Sequence, residues 1–154
     1  IKYGDNTWGK TESTYLLSGE IYPVCSPSMA QQHQLTELSQ LVQVPLIDLD
    51  DNQWRWVKWQ DWLIDQHSPL KGLRTSIEFN NIPMLYSAAE AGQGMALGWS
   101  EFLQDLLATK RLVAPFRERL QIPKPWGYYI LTEPIERQSE YIDQVKQWIL
   151  KEAQ

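Results

Sequence analysis

The chain has 154 residues, 43% of them hydrophobic and 21% charged, which is long and apolar enough to bury one sizeable core and argues against disorder. Its net charge is −5, and Lys and Arg are scattered without a run that could follow a phosphate backbone, so this piece is not expected to bind DNA itself. No stretch approaches the ~18 apolar residues of a membrane span, the N-terminus lacks signal-peptide character, and the single Cys25 cannot make an internal disulfide; a cytoplasmic protein with no membrane partner is expected.

In chain order, Ile1, Lys2 and Tyr3 read as the end of a strand running into the turn residues Gly4, Asp5 and Asn6, so the chain is expected to begin inside a fold. Residues 20–25 have strand composition, and Pro23 within them suits an edge or crossover strand better than a central one. Pro27 stands where a helix or turn would start. Leu35, Leu38, Leu41 and Val42 recur at helical intervals and predict a short amphipathic helix, followed by a buried strand at Pro45, Leu46 and Ile47. Residues 53–66 predict a helix carrying Trp54, Trp56, Trp59 and Trp62; at 100° per residue Trp56, Trp59 and Leu63 share a face with Trp62 beside it, whereas Trp54 aligns with Lys58, Asp61 and Asp65.

Residues 73–79 alternate like a strand and end at Asn80 and Asn81, after which Ile82, Leu85, Tyr86 and Ala89 mark a helix that tolerates Pro83 in its first turn. The turn Gly92-Gln93-Gly94 ends that helix and leads into the buried strand Met95-Ala96-Leu97-Gly98. Ser100 is placed to cap a helix over residues 101–108. Residues 111–114 and 126–131 read as two further strands, and residues 137–152 as a helix with Tyr141, Val145, Trp148 and Ile149 on one face. This alternation predicts an α/β fold with a largely parallel or mixed sheet.

Several segments, in order, resemble the second half of the effector-binding domain of LysR-type bacterial regulators. IKYGD at residues 1–5 is similar to the family's "IRYGDG", EIYPVCSP at 20–27 to its first crossover strand, and PLI at 45–47 to its next strand. AAEAGQGMALGW at 88–99 resembles "AAxAGQGxALG", followed by RLVAPF at 111–116; AGQGMALG together with VCSP is the specific part. The pair Trp56 and Trp59 resembles the W-x-x-W of the branch holding glycine-cleavage activators and β-lactamase-inducer regulators. The resemblance implies a type II periplasmic-binding-protein-like fold: two α/β subdomains joined by two crossover strands, with a small-molecule effector in the cleft. It implies that residues 1–21 and 124–154 form an incomplete first subdomain and 22–123 the second. DNA would be bound only through a helix-turn-helix domain absent here, and the full-length protein would be a homodimer or homotetramer.

Each candidate site has a plainer structural role beside the functional one. Asn80, Asn81 and Ile82 end a strand and open a helix, where free N–H groups favour an anion; simple capping by Asn competes evenly with that. Gly98, Trp99 and Ser100 follow the next strand, at the same end of the sheet if the strands are parallel, which is where α/β folds collect ligands; the plainer roles are close packing at Gly98 and a cap at Ser100. Tyr3 and Gly4 resemble a stretch bordering the family's pocket. Ser26 and Ser28 flank a proline and could donate to a ligand, with capping the blander role. Trp54, off its apolar face, could stack on a ring or cation, while Trp56, Trp59 and Trp62 are expected in the core. Of Tyr128 and Tyr129, which alternate on a strand, one should face the core and the other solvent or cleft. Cys25 reads as a small buried hydrophobe rather than a redox switch.

No catalytic, metal-binding or cofactor motif is found: His33 and His67 lack partners at ligand spacing, and no G-x-S-x-G, P-loop or G-x-G-x-x-G occurs. The expectation is therefore an effector-sensing domain that binds a small polar or anionic metabolite, and not an enzyme. A solute-binding protein of a transport system is the alternative, and an enzyme on a similar α/β frame a weaker third.

Overall fold

A computed structural model of the chain describes residues 1–50, 57–133 and 140–153. In chain order its elements are β1 (Lys2–Gly4), β2 (Glu12–Leu17), β3 (Glu20–Val24), α1 (Pro27–Gln32), a 3-10 helix (Leu38–Gln43), β4 (Leu46–Leu49), α2 (Trp59–Asp65), β5 (Thr75–Phe79), α3 (Ile82–Glu90), β6 (Ala96–Trp99), α4 (Ser100–Ala108), β7 (Leu120–Gln121), β8 (Gly127–Thr132) and α5 (Glu140–Glu152). They fall into two compact units, Ile1–Gly19 with Gln121–Gln154, and Glu20–Leu120.

In the first unit, β1 and β2 both pair antiparallel with β8. Aromatic residues fix this small sheet: Tyr129 is 5% exposed and meets the rings of Trp8 and Tyr15 edge-on at 5.2 and 5.3 Å, the arrangement that ring quadrupoles favour. Tyr129 is thus the inward member of its pair with Tyr128. The predicted apolar face of α5 is only partly covered, because Tyr141 is 77% and Trp148 62% exposed.

The second unit is built on parallel pairing. β4 runs parallel to β5, and Leu46 forms a parallel bridge with Met95 just before β6; the Ile47 N–H donates to the Met95 carbonyl and the Met95 N–H to the Pro45 carbonyl, both at 2.9 Å. β6 then pairs antiparallel with β3. The residues of β4 and β6 are buried throughout, the continuous burial expected where a sheet is covered on both faces. The turn before β6 requires its glycines. Gly92 has φ +74°, and a Cβ on Gly94 would lie 2.6 Å from Ile47 Cγ2 and 3.0 Å from the Pro45 carbonyl oxygen. The strand can approach β4 only without a side chain there.

Four expectations are corrected by the structure. α1 starts at Pro27 as expected, but the amphipathic helix expected over Leu35, Leu38, Leu41 and Val42 is instead the 3-10 helix Leu38–Gln43; Leu35 and Leu41 are buried but Val42 is 60% exposed. The tighter three-residue repeat of the 3-10 helix takes Val42 off the face that an α-helix would give it. β3 lies between β6 and β7 rather than at an edge, and Pro23 is tolerated because β7 is two residues long and demands few donors. Residues 111–114 contribute only an isolated bridge between Val113 and Cys25. In the helix expected over 53–66, α2 starts at Trp59; Trp54 and Trp56 lie outside the described residues. Trp59, Trp62 and Leu63 are buried, and the two indoles donate to the Ile47 and Ile21 carbonyls at 3.0 and 2.9 Å, which ties α2 to β4 and β3 and satisfies both buried N–H groups.

Candidate functional site

The parallel bridge and the β4–β5 pair make β4, β5 and β6 run in one direction, so their C-terminal ends lie at one end of the sheet. Asn80, Asn81 and Ile82 follow β5, and Gly98, Trp99 and Ser100 close β6 and open α4. Both groups of candidate residues thus fall at the ligand-collecting end of this α/β unit.

The side chains there are already engaged in specific ways. Asn81 is the N-cap of α3, its Oδ1 accepting from the Met84 N–H at 2.9 Å, and its amide donates to Asn80 Oδ1 at 2.8 Å. With Pro83 lacking an N–H and Met84 capped, this helix start offers few donors to an anion. Asn80 is exposed and helps to line an open depression of about 470 Å³ with Asp50, Glu78, Phe79 and Met84. Two carboxylates beside Asn80, Asp50 and a Glu78 whose Oε1 lies 3.6 Å from Lys58 Nζ, give the depression an acidic rim, suited to a hydrogen-bond donor or an amine. Sequence reasoning missed Asp50 and Glu78. Their signal was position, at the ends of the two parallel strands that also place Asn80.

Ser100 does not cap α4; Trp99 is the N-cap and makes no side-chain cap. Instead Ser100 Oγ accepts from the Glu20 N–H at 2.9 Å and donates to Glu101 Oε2 at 3.0 Å. Trp99 is 2% exposed, which places its indole in the core, and its backbone N–H donates to Tyr86 Oη at 3.0 Å. A Cβ on Gly98 would lie 2.6 Å from Leu103 Cδ1, so close packing is what this glycine provides. Ser26 is buried and caps α1, accepting from the Met29 N–H at 3.2 Å, with Ser28 Oγ 3.0 Å away.

In the other unit, β1 and β8 set Tyr3 opposite Tyr128 and Gly4 opposite Gly127. The Tyr3 and Tyr128 rings are 5.1 Å apart, and Tyr3 is 6.0 Å from Trp126; both tyrosines are half-buried. A Cβ on Gly4 would meet Trp8 at 2.5 Å. Asn80–Ile82 and Gly98–Ser100 thus follow strands that run in one direction, and Tyr3 and Gly4 stand beside Tyr128, while Ser26 is committed to a cap and Trp54 is not among the described residues.

Burial pushes the Cys25 thiol up to about 12, opposed only in part by a backbone hydrogen bond from Ala30, so thiolate chemistry there is disfavoured. Burial also raises Tyr22, against the pull of Arg119, whose guanidinium stands 4.0 Å over the Tyr22 ring. Among the described residues there is no group of three or more side chains able to hold a metal ion, and no helix long and apolar enough to cross a membrane.

Known proteins place this arrangement. The chain is 27% identical over 135 residues to the HTH-type transcriptional activator AmpR of Citrobacter freundii, covering 87% of this chain and 44% of the relative. It is 31% identical over 142 residues to the HTH-type transcriptional regulator DsdC of Escherichia coli strain K12, with the same 87% and 44% coverage. It thus spans less than half the length of either. The solved AmpR effector binding domain from Citrobacter freundii superposes with a TM-score of 0.80 at 22% identity, covering 99% of this chain and 72% of that one. The fold is accordingly that of LysR effector-binding domains, an α/β arrangement of the type II periplasmic-binding-protein kind. The family described as LysR substrate binding domain matches residues 1–154, and the chain belongs to it.

Proposed function

We propose that the chain is the effector-sensing part of a bacterial transcription regulator and binds a small polar metabolite at the C-terminal ends of β4, β5 and β6. The observation that carries this reading is the common direction of the three strands, which brings Asn80–Ile82 and Gly98–Ser100 to one end of the unit Glu20–Leu120. The acidic rim of Asp50 and Glu78 beside Asn80 favours an effector that presents an amino or other donor group there, and narrows the anionic class expected from helix termini alone. We further propose that residues 1–21 and 124–154 belong to an incomplete first subdomain, in which Tyr3, Gly4 and Tyr128 are effector-contacting residues, and that 22–123 form the second.

In the full regulator, a helix-turn-helix domain outside this chain would bind DNA, and the protein would work in the cytoplasm as a homodimer or homotetramer. The effector would act by binding one sensor conformation more tightly than another. The names of the relatives, transcriptional regulators rather than transport proteins, favour this over a transport role, and their class is not an enzyme class. Isothermal calorimetry against amino acids, amines, small carboxylates and cell-wall peptides tests the reading. Binding that weakens at least tenfold in Asn80→Ala and Ser100→Ala is the expected result; binding indifferent to both substitutions contradicts it.

A further inference from the structure

We propose that Asp48, Lys58 and Glu78 form a proton-operated latch that fastens the start of α2 to the C-terminal ends of β4 and β5. The three residues come from three places in the sequence. Asp48 belongs to β4 and is 5% exposed; Glu78 belongs to the neighbouring β5; Lys58 is the residue before the first turn of α2. Asp48 Oδ1 accepts from the Leu49 N–H at 2.9 Å, and the Trp59 backbone N–H also bonds this carboxylate. Among the described residues its cationic neighbour is Lys58, whose Nζ stands 3.9 Å from Oδ2, beyond the 2.7–2.9 Å of a charge-assisted hydrogen bond.

That ammonium group is shared. It donates to the Leu49 carbonyl and lies 3.6 Å from Glu78 Oε1. A buried carboxylate whose counter-charge is divided among three acceptors is poorly compensated for the water it has lost. Burial accordingly pushes Asp48 up to about 6, with Lys58 the chief opposing influence and Glu78 adding to the rise. The charged groups that face Asp48 are thus Lys58 from the start of α2 and Glu78 from β5. Above that pH, Lys58 bridges both strands. Below it, Lys58 keeps Glu78, whose side chain is 55% exposed, and the Leu49 carbonyl, and its hold on the buried end of β4 is lost. The start of α2 then loses its ionic tie to β4 within a mildly acidic range while Asp48 stays buried, and the Trp59 and Trp62 anchors hold the helix body.

The latch does not depend on any effector, so it is tested on the unliganded chain by carbon-detected NMR of the carboxylates together with the Trp59 amide and indole N–H signals. The expected result is an Asp48 midpoint near pH 6 that both Trp59 signals follow, and its disappearance from those signals in Asp48→Asn. Lys58→Met should raise the Asp48 midpoint and Glu78→Gln should lower it. An Asp48 midpoint in the ordinary carboxylate range, or Trp59 signals that do not follow it, overturns the latch. If Asp48→Asn does not fold, the two partner variants decide: a midpoint unmoved by Lys58→Met equally overturns it.

Discussion

A single buried carboxylate sets an unusual dependence of stability on pH. The ordinary value for Asp is 3.8 and burial takes Asp48 to about 6, so between those values the folded chain holds a proton that the unfolded chain has released. Its contribution is fully present below about pH 4, is lost as pH rises to about 6, and is flat above. The shift of about two units corresponds to about 3 kcal/mol. Urea denaturation across pH 4 to 7 should therefore show this loss in the parent chain and a flatter profile in Asp48→Asn; equal slopes would contradict it. Gly94 is constrained by packing instead. In Gly94→Ala the new Cβ would meet the β-branched Ile47 side chain and the Pro45 carbonyl, neither of which can yield easily. A loss of about 1–3 kcal/mol is expected, measured by the same denaturation, and an unchanged midpoint would show that β4 gives way.

At the level of elements, α3 separates capping from binding. Asn81 spends its carbonyl oxygen on the Met84 N–H, whereas Asn80 is exposed and accepts from the Asn81 amide. Asn81→Ala should destabilise the chain by about 1 kcal/mol, the usual cost of a lost cap, and Asn80→Ala by a few tenths at most. Thermal melts of the two variants check this, and equal losses would contradict the assignment of the cap. The elements most legible in the sequence were those whose residues carry a backbone requirement. Asn-Asn-Ile-Pro before α3 and Gly-Gln-Gly before β6 dictate a helix start and a tight approach, and both stand where they were expected. Periodicity was less informative over short spans: Leu38, Leu41 and Val42 fit an α-helix and a 3-10 turn equally until the local hydrogen bonds distinguish them. Ser100 shows a different limit. Its residue type and position suit a cap, but the Glu20 N–H, 80 residues away in sequence, takes its oxygen, and no local pattern can foresee a partner so distant.

For the molecule as a whole, the family and its α/β fold were legible because AGQGMALG and VCSP sit on structural necessities of the unit Glu20–Leu120. The candidate site was legible only in outline. Asn80 and Ser100 were found as strand-end residues, whereas the acidic character of the depression comes from Asp50 and Glu78, whose proximity exists only once β4 and β5 pair in parallel. The central claim, that these strand ends receive a small polar effector, is most directly tested by amide NMR titration of the isotopically labelled chain with each member of the calorimetric panel. For one class, most readily one bearing an amino group, the amides of Asn80, Asn81, Ile82, Trp99 and Ser100 are expected to shift together and saturate at one concentration. Shifts confined to the groove between α2 and the segment after it, lined by Leu63, Ser68 and Leu70, or no shifts with any member, would contradict it.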